Sequence, residues 1–515
     1  MTTALTAPRL PRYHLWIAGA FLLAVVVRMS WFVLQVSQPS SDDLLYAMMA
    51  DAIRSGRDFP LLMWRAGYGG TLGTSWVLAL LFRFFGTSLG VALGYGALLS
   101  LVQVWIWSRV ADAVHPGAGI WTALLLAVPP PTLGLQAQTL GYAEPLTIGA
   151  LWIWSIVRAI RRGRASAWHA WWIGALAGYL VYIHPIVLVF LPAALALRRF
   201  RVSIRPWYAA SGFCVGLAPL VIANAHLGGV TVRRIGGRVL GMTAAEFTQH
   251  ASLQTVGHQL LQQIRAGFFT QPRLLVEACS WETGGVVFGV LTAACFLFIL
   301  MRSGRAPALA RWVAWPVMIA MVLGNILLGR NAHARYYLSA HAAGSLLAGV
   351  TVGSAAPTLG WAVYGLALLN EWQTIQVIQR AGLPPPYDAA MAYLNAQHLR
   401  YGYADFWTAI PLTFLSRGRL VVSTTGMDPE RFYDRTVSIT QQVDAADTVF
   451  YLYRRDRPAE QRFAHALEQV ARADGMLVQQ CEIGPFTVYS GFSRPIRPQE
   501  FGMASLDQVA AGRND

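Results

Sequence analysis

The chain has 515 residues, 55% hydrophobic and only 13% charged, with a mean hydropathy of +0.43. A water-soluble core cannot absorb that much apolar surface, so an ordinary soluble globular protein is excluded. The formal net charge is +15, yet every basic residue is arginine and lysine is absent, which excludes lysine Schiff-base chemistry and a lysine phosphate loop and gives no reason to infer a nucleic-acid partner.

Apolar stretches of about 20 residues, each long enough to cross roughly 30 Å of hydrocarbon, predict a polytopic helical bundle. The first runs from about 15 to 36. Arg9 and Arg12 precede it and no small-residue cleavage signal follows, so it reads as a retained span rather than a signal peptide. Further runs lie near 69 to 86, 88 to 108, 117 to 133 and 138 to 157. Arg158, Arg161, Arg162 and Arg164 close this group, and Arg198, Arg199, Arg201 and Arg205 lie beyond the next stretch, 171 to 197.

Short arginine-rich loops stay cytoplasmic, so the 171 to 197 stretch must go out and return. Two short helices breaking at Ile183-His184-Pro185 accomplish this, because proline disfavours helix at the residue before it. His184 then lies at the outer face. A cytoplasmic Arg158 requires an even number of earlier crossings, so one early run is not an independent span, and the glycine-rich run after Tyr68 is the candidate.

A span near 207 to 226 delivers a polar segment, about 227 to 280, to the outside. Spans near 284 to 301, 312 to 329, 336 to 355 and 358 to 372 bring the total to about eleven, with the Arg302 to Arg311 loop inside and Arg330 to Arg335 outside. The expected fold is mainly α: a transmembrane bundle over 1–383 and a small soluble, extracytoplasmic α/β domain over 384–515, with a disordered C-terminal end. Pro384-Pro385-Pro386 marks the boundary. In the tail, helical patterns near 387 to 400 and 458 to 473 alternate with β-like runs at 419 to 423, 448 to 453, 476 to 481 and 486 to 489. The four cysteines, Cys214, Cys279, Cys295 and Cys481, are scattered and imply neither a disulfide framework nor a zinc site. No repeat of fixed period is present, which argues against solenoids and repeat-built transporters.

Chemistry concentrates at the outer edge. Ser41-Asp42-Asp43-Leu44-Leu45-Tyr46 follows the first span directly, and a carboxylate there is suited to take a proton from an attacking hydroxyl; an N-terminal helix cap is the bland reading. In Asn331-Ala332-His333-Ala334-Arg335-Tyr336-Tyr337-Leu338, the planar Arg335 fork suits phosphate oxygens, although Arg and Tyr also anchor helices at headgroups. Glu144, in Gly141-Tyr142-Ala143-Glu144-Pro145, is either a second acid, a ligand with Asp43 for a divalent metal, or a first-turn glutamate. Arg28 lies inside the first span, where charge is costly and either functional or paired, with Asp42 or Asp43 as available partners. His184 could contact phosphate or serve the helix break. Tyr401, Tyr403, Phe406 and Trp407 either stack on sugar rings or pack the domain against the bundle.

A span bearing Arg28, then the acidic pair with Tyr46, then GYGGTLGTSWVLALLFRFFG through Tyr68 to Gly86, resembles the start of the GT-C glycosyltransferase superfamily. RYYLSAHAAGSLLAG looks like the Arg-Tyr segment of its protein-mannosyltransferase and aminoarabinose-transferase-like branches, and the tail segment YGYADFWTAIPLTFLSRGRLVV is similar to one in bacterial members. The resemblance implies a glycosyltransferase of the bacterial inner membrane. Its donor would be a polyprenyl-phosphate sugar, transferred at the outer face with inversion to a glycan, lipid or protein acceptor. Asp42 or Asp43 would be the base, Glu144 a second acid and Arg335 the phosphate ligand. Tyr336, Arg28, Tyr46 and His184 would be further substrate contacts, and Mg or Mn a cofactor in those branches that use one. A transporter or flippase for a lipid-linked glycan is the alternative from another class, and an assembly protein with a partner-binding tail a third.

Overall fold

A computed structural model describes residues 13–37, 39–64, 69–129, 137–229, 301–327, 338–355, 387–424 and 437–501, with isolated positions between them. The chain divides into two compact units. One comprises Met1–Leu34, Gly67–Thr74 and Leu93–Gly382, and the other Gln35–Ala66, Ser75–Ala92 and Leu383–Asp515.

The first unit is helical, as an apolar chain must be where no water can satisfy its backbone. In chain order come α1 (Tyr13–Ser37), α2 (Ser41–Arg54), α3 (Val77–Phe85), α4 (Leu89–Val114), α5 (Ala118–Ala127), α6 (Leu140–Arg162), α7 (Ala167–Ile183), α8 (Leu195–Arg199), α9 (Pro206–His226), α10 (Ala308–Leu327) and α11 (Leu338–Ala355). Of these, α2 and α3 belong to the second unit. Tyr13–Val33, Leu89–Val114, Leu140–Arg162 and Pro206–His226 are each long and apolar enough to cross a membrane. The run after Tyr68 forms a π turn, Leu72–Trp76, continuing into α3. Together these cover about 20 Å, short of the hydrocarbon thickness.

The break at 183–185 is where the sequence puts it. Helix α7 ends at Ile183, His184 is extended (φ −161°, ψ 134°), and a 3-10 stretch, Pro185–Ala194, takes over. The return leg is 3-10 rather than α because Pro185 opens it and Pro192 interrupts it. The two arginine-rich loops pair through backbone: Ala165 N–H donates to the Ser203 carbonyl at 3.0 Å and Ser203 N–H to that of Gly163 at 3.4 Å. They therefore lie at the same end of the helices, and the stretch between them leaves that end and returns to it. The expected span 284 to 301 lies outside the described residues.

Helices α7 and α9 approach until their backbones touch. Gly174 and Gly178 sit four residues apart on α7, and a Cβ at either would land on the carbonyl of Ala209 or Phe213; Gly212 and Gly216 on α9 face the carbonyls of Trp171 and Ala175 in the same way. Small residues at this spacing let membrane helices gain dispersion contact without a hydrophobic driving force.

Within the second unit, the C-terminal part is a three-layer α/β arrangement. Its five-stranded sheet has the order β2-β1-β3-β5-β4, with β1 (Tyr401–Ala404), β2 (Val421–Thr424), β3 (Phe450–Arg454), β4 (Gln479–Ile483) and β5 (Phe486–Ser490). β1 runs parallel to both β2 and β3, and β5 is antiparallel to β3 and β4. Side-chain alternation splits the core. Phe450 and Leu452 face α12 (Asp388–Ala396) and α13 (Phe406–Leu415), while Tyr451 and Tyr453 face α14 (Val437–Asp444) and α15 (Pro458–Ala473). The patterns near 458 to 473 and at 486 to 489 match α15 and β5, and the third β-like run lies at 479–483.

At the ends of β1 and β3, Asp405 caps α13 by accepting from Trp407 N–H. The Arg457 guanidinium bridges Asp405, at 2.6 Å, and Glu460, at 3.1 Å. Burial, and then the Asp405 charge, push the Glu460 carboxyl up to about 7. The folded state thus holds this proton more tightly than the unfolded chain, and its stability declines as pH rises from about 4.5 to about 7.

Two measurements follow from these contacts. Glu460→Gln keeps an acceptor for Arg454 N–H without the charge, so its thermal midpoint should exceed wild type at pH 8 and converge with it near pH 4.5; parallel profiles would discard the assignment. Gly212→Leu overpacks the α7–α9 seam at a cost of about 1–3 kcal/mol or more, read as a lowered midpoint in detergent, whereas Val215→Leu on the exposed face should stay within about 0.5 kcal/mol.

Candidate functional site

Glu144 enters from the first turns of α6 and is 3% exposed. A carboxyl withdrawn this far needs hydrogen bonds to offset desolvation. Tyr179 of α7 donates to Oε1 at 2.7 Å and Thr74, from the π turn, donates to Oε2. The glycines of GYGGTLG have separate reasons. Gly69 has φ +82°, a Cβ on Gly70 would meet the Tyr182 ring, and one on Gly73 would overlap the Glu144 carboxylate. Tyr182 Oη accepts from Thr71 N–H at 2.9 Å and Leu72 N–H at 3.3 Å, and Tyr95 Oη donates to the Gly73 carbonyl. One helix end thereby supplies Tyr179, Tyr182 and then His184, whose ring stands edge-on to Tyr142, 5.7 Å between centroids. The structure thus brings together two places that the sequence marked separately, the Glu144 turn and His184. Tyr179, Tyr182, Tyr95, Thr74 and Gly73 were not anticipated; the available signal was hydroxyls three residues apart inside the apolar run of α7.

In the second unit, the acidic pair lies in the first turn of α2, where the helix dipole favours negative charge. The preceding Ser40 makes no side-chain cap bond. Asp42 is half-buried, while Asp43 is 1% exposed. Leu44, Leu45, Tyr46 and Ala47 are buried with it, and α2 packs against α3 and α13. The Tyr46 carbonyl accepts from Ser75 Oγ at 3.1 Å.

Arg28 is 3% exposed and lies in the first unit. Its Nε donates to Ser100 Oγ at 2.8 Å, Nη2 to the Leu126 carbonyl at 2.8 Å and Nη1 to that of Ala127 at 3.3 Å. These carbonyls end α5, so the cation meets the negative pole of that helix. At the opposite end, the Asp112 carboxylate accepts from Gly119 N–H at 2.9 Å and from Tyr13. Arg335 and Tyr336 lie outside the described residues. Among the described residues no three His, Cys, Asp or Glu side chains converge as metal ligands, and both Glu144 oxygens accept from hydroxyls.

Neither a family model nor a curated protein matches the sequence. Among solved structures, ArnT from Cupriavidus metallidurans bound to undecaprenyl phosphate superposes with a TM-score of 0.57 at 13% identity, covering 92% of this chain and 99% of that one. The archaeal oligosaccharyltransferase AglB from Archaeoglobus fulgidus, in complex with an inhibitory peptide and a dolichol-phosphate, aligns at 13% identity and a TM-score of 0.47, over 94% of this chain and 74% of its own. The likeness to ArnT shows the fold: this chain has the GT-C-like architecture.

Arg28→Met leaves Ser100 and two helix-end carbonyls without their donor. Hydrogen bonds to a charged group are worth about 1.5–3 kcal/mol each, so the thermal midpoint in detergent should drop markedly; a variant as stable as wild type would remove the capping role.

Proposed function

We propose that this chain is an integral membrane glycosyltransferase that moves a sugar from a polyprenyl-phosphate carrier to an acceptor hydroxyl, with inversion at the anomeric carbon. The observation that carries the reading is the Asp43 carboxylate, buried in the first turn of the helix that follows the first span, in a chain that shares its fold with a protein crystallised with undecaprenyl phosphate. In this reading reaction takes place at the outer face of the plasma membrane. The region from 384 onward is extracytoplasmic, and the acceptor is a glycan, lipid or protein.

Asp43 takes the proton of the acceptor hydroxyl as its oxygen attacks the anomeric carbon. The bond from that carbon to the phosphate oxygen breaks, and the carrier departs as polyprenyl phosphate. Asp43 is the more buried of the pair, held in place by the helix around it, which favours it over the half-buried Asp42. Arg335 is assigned to the departing phosphate on the sequence resemblance, because a guanidinium fork matches its oxygens. Glu144 is a second acid whose position depends on Thr74 and Tyr179. A transporter would account for a charge within the bundle such as Arg28, but that residue's bonds to the end of α5 supply another reason for its burial.

The test is transfer from labelled polyprenyl-phosphate sugars to candidate acceptors in membranes carrying the protein. Asp43→Asn should lower the rate about 10²–10⁴-fold, the usual worth of a general base, and Asp42→Asn by less than about tenfold. Undiminished transfer by both single variants and the double variant would remove the assignment. Asp42→Cys, at the one partly exposed position of 41–46, and Ser55→Cys, exposed where α2 ends, should react with an impermeant reagent from outside intact cells; protection of both would sink the outer-face reading.

A further inference from the structure

We propose that the arginine-rich end of the first unit is an interaction surface for the headgroups of anionic phospholipids, formed by the loops 158–164 and 198–205 with the tryptophans that open α7 and α9. Each loop carries four arginines, and from 145 to 245 the chain has no aspartate or glutamate. All the arginines of both loops are exposed.

The fold concentrates this charge. Ala165 N–H donates to the Ser203 carbonyl at 3.0 Å, beside a bridge from Arg164 to Ser203, so both quartets crowd the place where α6 and α8 end and α7 and α9 begin. Like charges held this close repel one another unless an anion offsets them. Arg158, Arg199 and Arg205 lie over the rings of Trp154, Trp312 and Tyr208, at 5.8, 5.8 and 6.0 Å. Arg161, Arg162, Arg164, Arg198 and Arg201 have neither an acid nor a ring beside them among the described residues. Asp112 of α4 already accepts from Gly119 N–H and Tyr13.

Aromatic exposure shows what the charge faces. Trp168 is 70% exposed and Trp207 83%, each the second residue of its helix. Trp168 stacks on Trp171 at 5.0 Å, and the Trp171 carbonyl lies against Gly212 of α9, which makes the two helix starts neighbours. Helix α9 is long and apolar enough to cross a membrane, with Val215 and Val221 exposed along it. Trp207 therefore stands where a span meets its loop, the level at which indole rings sit among headgroups. Headgroups are thus the anions within reach of the unpaired arginines, and a zwitterionic headgroup brings no net charge to offset them. Beside a span, each such cation favours anionic lipid by roughly fivefold. The inference rests on the bundle's spanning a membrane and not on the reaction proposed above.

The test places the full chain in phosphatidylcholine bilayers containing a trace of spin-labelled phosphatidylglycerol or spin-labelled phosphatidylcholine, and reads the motionally restricted fraction of each by electron paramagnetic resonance. Phosphatidylglycerol should be favoured severalfold, and the preference should shrink at high salt. Combined Arg161→Gln, Arg162→Gln and Arg164→Gln should lose most of it, as should combined Arg198→Gln, Arg199→Gln and Arg201→Gln. Arg161→Lys with Arg162→Lys and Arg164→Lys should keep it, because charge is what the lipid reads, and Arg472→Gln, exposed in the C-terminal part, should leave it unchanged. Inorganic phosphate should displace no more lipid than chloride at equal ionic strength. Equal restriction of the two lipids by the wild-type chain, an undiminished preference in both glutamine variants, or selective displacement by inorganic phosphate would overturn the proposal. Sugar transfer does not enter this readout, so loss of the lipid preference leaves the reaction standing, and absence of transfer leaves the lipid surface standing.

Discussion

A carboxyl placed inside an apolar bundle has no water to lean on, and the surroundings of Glu144 are arranged around that requirement. Its two oxygens take hydroxyls from Thr74 and Tyr179, residues 70 and 35 positions away. Gly73 leaves room for the carboxylate, and Tyr95 holds the Gly73 carbonyl. The same requirement explains the ends of α5, a ten-residue helix bounded by Asp112 at its positive pole and Arg28 at its negative one. Glu144, Asp112 and Arg28 each lie where hydrogen-bond partners of the opposite character were available.

The second unit meets a different constraint. Helix α2 is buried on nearly every side, which a short helix of acidic start cannot manage alone. Helix α13, from the aromatic tail segment, packs against it. The aromatic residues there thus belong to the support of the Asp43 helix as well as to the sheet.

Periodicity made much of this legible. The break at Ile183-His184-Pro185 follows from the proline effect on the preceding residue, and α15 spans the run its pattern marks. β1 was hidden because four residues with Gly402 among aromatics carry no alternation. Helix α13 was hidden because Pro411 lies inside it. Glu144, Asp43 and Arg28 stood out in the sequence as charges beside or within apolar runs, whereas the partners of Glu144 and Arg28 did not. Serine, threonine and tyrosine hydroxyls are common in such runs, and a backbone carbonyl, which is what Arg28 binds, has no signature in a sequence.

The glycine seam between α7 and α9 reaches further than its own stability. Gly216 lies against the Tyr179 backbone N–H, and Tyr179 is one of the two hydroxyl donors to Glu144. A methyl group added on α9, which provides no side chain to the carboxyl, would push on the very turn that orients that donor. Position 216 is accordingly tied to the placement of Glu144 by steric transmission, and a helix with most of its surface exposed becomes a determinant of where that carboxyl sits.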